Sequence, residues 1–225
     1  MPSLDELFKK KENILDFPQT EVLKFVKRLE SISGKHPLSI WDLCCGAGRN
    51  SIAIAEIGHI VYSSDVSPTG VNILKKLLKT KRYHCETAVC DMSVNPWQKN
   101  DFDGIFCWDA LHHNTIGNIK ATVEMVYSSL SDSGLFMASL LSTKNGKHNK
   151  GRQIEPNTFI EDQGLESGVP HHYFNEEEIM ALFRDWKICI LAEIVVNYAK
   201  TENEFYNNNP FPYTKWNILV MKESY

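Results

Sequence analysis

The sequence predicts an α/β fold: a doubly wound, seven-stranded, mostly parallel sheet with a C-terminal antiparallel strand. Short apolar runs alternate with segments of helical period from residue 20 to residue 195. Strands that alternate with helices in this way pair in parallel, with helices on both faces. No helix-length period separates the last two apolar runs, 187–196 and 215–221, so these are expected to pair antiparallel. Right-handed crossovers then place ligands at the carboxyl ends of the strands.

The elements follow in order. Residues 21–30 set Val22, Phe25, Val26 and Leu29 on one helical face. Residues 38–45 form a strand entering a glycine turn, 50–57 a short helix, and 60–64 the second strand. Ser67-Pro68 starts the next helix, because serine caps and proline fits the first helical position. Its apolar face is Val71, Leu74, Leu77 and Leu78. Residues 83–90 and 103–108 are the third and fourth strands. Ile119, Val123, Val126 and Leu130 make a helical face that ends near Ser133-Gly134, and 135–141 is the fifth strand. Residues 142–174 are polar and without period, so a long functional loop is expected there. Asn175 with Glu178 three residues on resembles a capping arrangement, which opens a helix through Phe183.

The 225 residues are expected to form one domain, 1–225, with 1–35 as an N-terminal helical cover. Hydrophobic residues make up 43% and charged residues 23%, which excludes a disordered, collagen-like or coiled-coil chain. No window approaches the ~18 apolar residues of a membrane span. The N-terminal segment lacks the apolar core of a signal peptide, so a cytoplasmic protein is expected. The 24 basic against 28 acidic residues give a net charge of −4, which disfavours long nucleic acid as a partner. Of six cysteines (Cys44, Cys45, Cys85, Cys90, Cys107 and Cys189), five lie in or beside apolar runs. Reduced thiols are expected rather than a disulfide framework. The pair Cys44-Cys45 lacks two further ligands for zinc, and no ligand set has convincing metal spacing along the chain.

The most informative segment runs from Asp42 to Ser51: Asp-Leu-Cys-Cys-Gly-Ala-Gly-Arg-Asn-Ser. Gly46 and Gly48 at the strand-to-helix turn let a ligand approach the backbone, and the helix start that follows suits an anion. Asp65 ends the second strand, where a carboxylate can accept both hydroxyls of a ribose. Asp91 follows the third strand, and Asp42 lies just before the glycines. A dinucleotide turn wants a third glycine where Ser51 stands, and a pyrophosphate would be repelled by Asp42. A phosphate-free adenosyl ligand with a cationic amine suits these acids better, and S-adenosylmethionine has those groups.

These segments, with Cys90-Asp91-Met92 and the run from Phe102 to His113, resemble the successive motifs of class I S-adenosylmethionine-dependent methyltransferases over residues 38 to about 141. The closing strand pair resembles that family's antiparallel seventh strand, so the resemblance implies its Rossmann-like fold. Gly-Arg-Asn-Ser at 48–51 and the segment from Gly168 to Ile179 resemble its tellurite-resistance-like branch. The resemblance implies roles for each position. Gly46 and Gly48 would pass beside the methionine and ribose portions, and Asp42 would orient the ammonium group. Asp65 would hold the ribose diol, Asp91 the adenine amino group, and Met92 would lie against the ring. Trp108 would lie near the methionine end, and Asn50 and Val66 complete the expected cofactor contacts. Cys44 stands where the family often has glycine, which narrows that space.

Methyl transfer needs a nucleophile held behind the methyl group and water excluded. A base is needed when the acceptor is protonated. His112 and His113 after the fourth strand, and His171, His172 and Tyr173 before the last helix, are the candidate bases. Asp109 is expected at the surface. Residues 142–174 are expected to wall the acceptor, basic in the first half and acidic in the second. The expected activity is methyl transfer to a small-molecule acceptor. The alternatives are a transfer-RNA or protein methyltransferase, and a catalytically idle cofactor-binding regulatory module.

Overall fold

The computed structural model describes residues 4–11, 14–164, 166–196 and 212–223. In chain order its first half comprises α1 (Leu4–Leu7), α2 (Thr20–Ser33), β1 (Ser39–Leu43), α3 (Arg49–Ile57), β2 (Ile60–Asp65), α4 (Pro68–Lys81), β3 (Glu86–Val89) and β4 (Phe102–Cys107). The second half comprises α5 (Ile116–Ser129), β5 (Leu130–Ser142), β6 (Arg152–Glu155), β7 (Thr158–Ile160), β8 (Pro170–Phe174), α6 (Glu176–Leu182), β9 (Trp186–Val196) and β10 (Tyr213–Lys222).

The buried, apolar strands β1 and β4 take the centre of the sheet. β3, β2, β1, β4 and β5 run parallel, then β10 pairs antiparallel with β5 and with β9. This is the expected seven-stranded frame with one reversed strand. Successive residues of β1 point to opposite faces. Ile40 packs with Val22, Phe25, Val26 and Leu29 of α2, whereas Trp41 and Leu43 pack with Ile119, Val123 and Val126 of α5. The caps expected from sequence are present. The Ser67 side chain accepts from the Gly70 N–H, with Pro68 in the first turn, and Asn175 and Glu178 form a capping box.

Four expectations need correction. The segment 142–174 is not a single loop: it folds as β6, β7 and β8. β8 pairs in parallel with the end of β5 (Leu141 with Tyr173, Ser142 with Phe174), so strands add at the carboxyl end of the sheet. Short strands with polar faces give no period long enough to read. β3 begins at Glu86 and β5 at Leu130, the latter with a register shift opposite Phe102 and Gly104. Leu77 is on the exposed rim of α4, not on its buried face. Finally, α2 is chiefly a core helix and reaches the cavity mouth only with Glu21 in its first turn; Phe17 before it is exposed. The expected 1–35 cover falls partly outside the described residues, and the part that reaches the mouth is α1 and the chain up to Glu21.

A buried hydrogen-bonded chain ties β1, α3 and β2 together. The Ser63 hydroxyl donates to Ser51 Oγ (2.9 Å), and the Ser51 hydroxyl donates to Asp42 Oδ2 (2.6 Å). Burial pushes the Asp42 carboxyl up to about 7, against the pull of the Ser51 hydroxyl. Its ordinary value is 3.8. The folded protein therefore holds a proton that the unfolded chain has released, and stability falls as pH rises through that window. Asp42→Asn keeps an oxygen for Ser51 and removes the titration. Between about pH 5 and about pH 8, urea unfolding of the ligand-free protein should show the variant gaining on the parent. A pH-independent difference would contradict the raised carboxyl.

Gly104 lets α2 sit close on β4. A Cβ there would meet Leu29 Cδ1 at 2.4 Å and Phe25 Cζ at 2.9 Å. Gly104→Ala should destabilise by roughly 1–3 kcal/mol, the range for overpacking. An unchanged denaturation midpoint would mean that α2 does not seat this way.

Candidate active site

The chain reverses sharply after β1. Cys44, Gly46 and Gly48 have φ of 64°, 55° and 84°, all left-handed. Cys44 carries a Cβ in this region, which costs energy that glycine avoids. Asp65 at the end of β2 holds the turn in place. Its Oδ2 accepts from the Gly46 N–H (2.7 Å) and its Oδ1 from the Ser67 N–H (2.8 Å). Burial raises the Asp65 carboxyl, and the two N–H donors pull it back down.

The glycines serve packing as well as ligand access. A Cβ on Gly48 would meet Leu74 Cδ1 of α4 at 2.3 Å. One on Gly46 would meet the Phe8 ring at 2.8 Å. Phe8 is brought there by Asp5, whose carboxylate accepts from the Thr69 N–H and hydroxyl, both at 2.8 Å, and from the Ser67 hydroxyl.

The turn opens on a cavity of about 1160 Å³. Cys44, Gly46, Gly48, Asn50, Asp65, Val66, Asp91, Met92 and Trp108 all line it. Asp42 does not: it lies beneath the turn, held by Ser51, so direct contact with a ligand is not what the geometry offers. Asp91 is exposed at its rim, and its Oδ1 accepts from the Ser93 N–H and hydroxyl.

The cavity continues past Trp108 into a second half with different chemistry. His112, His113, Glu166, His171, Tyr173 and Lys215 line this half. His171 and Tyr173 face it because they are two apart on β8. His172 faces away, which corrects its expected catalytic place. Its ring stacks on Phe174 (4.4 Å between centroids), and its Nδ1 lies 2.7 Å from the Thr158 hydroxyl. The His112 and His113 rings meet edge to face, with centroids 4.3 Å apart. Burial pushes His112 well below its ordinary value and His113 down to about 4, so both are neutral and weakly basic near pH 7.

Asp109 is half-buried and paired, not a free surface group. The Lys215 ammonium donates to its Oδ1 (2.6 Å) while lying 4.6 Å from the Trp108 ring centroid. Sequence reasoning missed Lys215, Asn217 and Glu166 at this site. Tyr213, Lys215 and Asn217 alternate with Thr214 and Trp216 along β10, and all three line the cavity. A lysine and an asparagine two apart in an otherwise apolar strand were the available signal. Glu166 had none, since it stands in a polar stretch without period. No helix among the described residues is long and apolar enough to cross a membrane.

Comparison with known proteins agrees with this architecture. Residues 40–134 match the family model described as "Methyltransferase domain". The chain is 29% identical over 94 residues to the 18S rRNA (guanine-N(7))-methyltransferase bud23 of Schizosaccharomyces pombe, covering 41% of this chain and 33% of that protein. It is 29% identical over 91 residues to a ubiquinone biosynthesis O-methyltransferase of Coxiella burnetii, covering 40% and 38%. The match thus spans little more than a third of these relatives' length. TehB from Haemophilus influenzae shares the fold at 18% identity and a TM-score of 0.68, over 98% of this chain and 68% of that one. Over residues 40–134, somewhat under half of its length, the chain is similar to methyltransferase domains, and the seven-stranded sheet around that segment has the fold it shares with TehB.

Proposed function

We propose that the protein transfers a methyl group from S-adenosylmethionine to a small-molecule acceptor. One observation carries this reading: a single cavity joins the Asp65-braced glycine turn to the polar half around His113 and Lys215. The residues suit the cofactor. Carboxylates from the ends of β2 and β3 open on the cavity beside a glycine turn, a donor set matched to hydroxyls, an amino group and a cationic ligand. When bound, the cofactor supplies a methyl carbon already activated by the sulfonium.

The chain's own residues then bind, orient and shield. Asp65 would accept from the ribose hydroxyls with the lone pairs its two N–H donors leave free. Asp91 would take the adenine amino group, with Met92 against the ring. The start of α3, where Arg49 lines the cavity, would face the methionine carboxylate. Asp42 would act through Ser51 and the turn, not by contact. Trp108 stands between the two halves, so the acceptor would enter from the Lys215 side.

The residues around His113 and Lys215 would hold the acceptor atom in line behind the activated methyl carbon and keep water out. His112 and His113 hold a proton weakly. An acceptor that is anionic at neutral pH, or easily made so, therefore suits this site. Enclosure by β8 and the N-terminal residues, and the net charge of −4, support a small acceptor. The kinship to bud23 raises an RNA reading, which would require binding that weakens steeply with salt.

Asp65→Ala should weaken binding of S-adenosylhomocysteine by roughly 1–3 kcal/mol, the scale for a lost hydrogen bond to a charged group. Calorimetry checks this. Unchanged affinity would remove Asp65 from the ribose position.

A further inference from the structure

Three side chains meet in the second half of the cavity: His113 after β4, and, more than fifty residues on, Glu166 before β8 and His171 on β8. Their ligand atoms all lie within 4.8 Å of one another. His171 Nε2 is 2.9 Å from Glu166 Oε2, and His113 Nε2 is 3.6 Å from Glu166 Oε1. The far side of the His171 ring narrows the options. Its Nδ1 lies 3.0 Å from the Val169 carbonyl oxygen, which can only accept, so Nδ1 carries the hydrogen. In a neutral imidazole this leaves a bare lone pair on Nε2, 2.9 Å from a carboxylate oxygen. Two lone pairs at that separation repel. A cation belongs between them, either a second ring proton or a metal ion.

A ring proton would satisfy the His171 pair but not His113. Its 3.6 Å separation from Glu166 exceeds hydrogen-bond reach. Ligands bound at about 2.0–2.2 Å around one tetrahedral ion stand about 3.3–3.6 Å apart; the His113–Glu166 pair has this spacing, and the 2.9 Å His171–Glu166 pair would open by a few tenths of an ångström to admit the ion. The Nδ1–H bond to the Val169 carbonyl is also the outer hydrogen bond that orients a metal-bound imidazole.

We infer that His113, Glu166 and His171 bind a divalent transition ion of borderline softness, of which Zn²⁺ is the type. Two imidazole nitrogens and one carboxylate leave at least one coordination position free. That position would take an ionisable donor atom of the acceptor, a thiolate or phenolate oxygen, and would hold it deprotonated. This role for the ion rests on the methyl-transfer reading; binding of the ion does not.

The test uses the full chain stripped of metal. Zn²⁺ calorimetry should give one equivalent at micromolar affinity or tighter. His171→Ala and the isosteric Glu166→Gln should each weaken it by more than about 100-fold, beyond the roughly 10–100-fold that loss of an outer partner costs. His36→Ala should leave it unchanged, because Glu30, His36 and His59 form a second cluster that must not be the binder. Co²⁺ substitution should show d–d bands without the strong thiolate charge-transfer bands of cysteine ligation. No micromolar binding, binding equal in both variants, loss in His36→Ala, or thiolate bands would each overturn the inference. S-adenosylhomocysteine affinity, measured alongside, should stay within about threefold in both variants. Its absence in the parent would defeat the cofactor reading and leave the metal result standing.

Discussion

The Asp65 carboxylate is the constraint on which the rest depends. It sits at the junction of β2, the turn after β1 and the start of α4, and it accepts one backbone N–H from each of the last two. Without it the left-handed turn at Gly46 would lose its brace, and the glycine loop and α4 would lose their common anchor. The same carboxylate lines the cavity. Bracing uses some lone pairs of this group, and in the proposed function a ligand would use others. A buried acid is costly unless its lone pairs are used. The two N–H donors use some of them, and a ligand with hydroxyls can use what remains.

The turn also shows how a departure from the usual glycine pattern is absorbed. Ser51 stands where a third glycine is common in dinucleotide turns. Here its hydroxyl joins Asp42 to Ser63, so the serine stitches β1, α3 and β2. Cys44 keeps a side chain at φ 64°, in a place that favours glycine. Its neighbours hold it there: it packs against the apolar cluster around Trp41 and Leu43. The strain sits at the cavity wall, where such strain commonly accompanies function.

The parallel frame was legible because its signals are local. Val22, Phe25, Val26 and Leu29 read as a helical face, and Ser67-Pro68 as a helix start, from neighbours alone. Asp65 and Asp91 could be placed because they follow strands. The acceptor half was not legible, because its geometry comes from register. His171 and His172 are adjacent letters with opposite orientations, and only the pairing of β8 with β5 and β7 decides which faces inward. Lys215 faces Asp109 across 106 positions of chain, a distance no motif bridges. Glu166 acquires meaning solely from the two histidines the fold brings to it.

That contrast says something about how the two halves do their work. The cofactor half is built on strand ends and a helix start, rigid positions set by the sheet. The acceptor half borrows from β8, β10 and the segment before β8, which are additions around the frame. An anionic acceptor would meet Lys215 first, but Asp109 already neutralises that ammonium, so the net attraction is small. Cationic help at the reacting atom must then come from elsewhere in the half. The paired imidazoles of His112 and His113 are neutral and cannot provide it. What remains is the His113–Glu166–His171 cluster, the place in this half where ligand atoms converge on a common centre. If a proton fills it, the half holds an ion pair of no net charge and the acceptor must arrive already deprotonated. If a divalent ion fills it, two neutral imidazoles and one carboxylate leave a net positive centre, and the acceptor can lose its proton on arrival. On the proposed methyl-transfer reading, that difference would decide which acceptors the cavity can use.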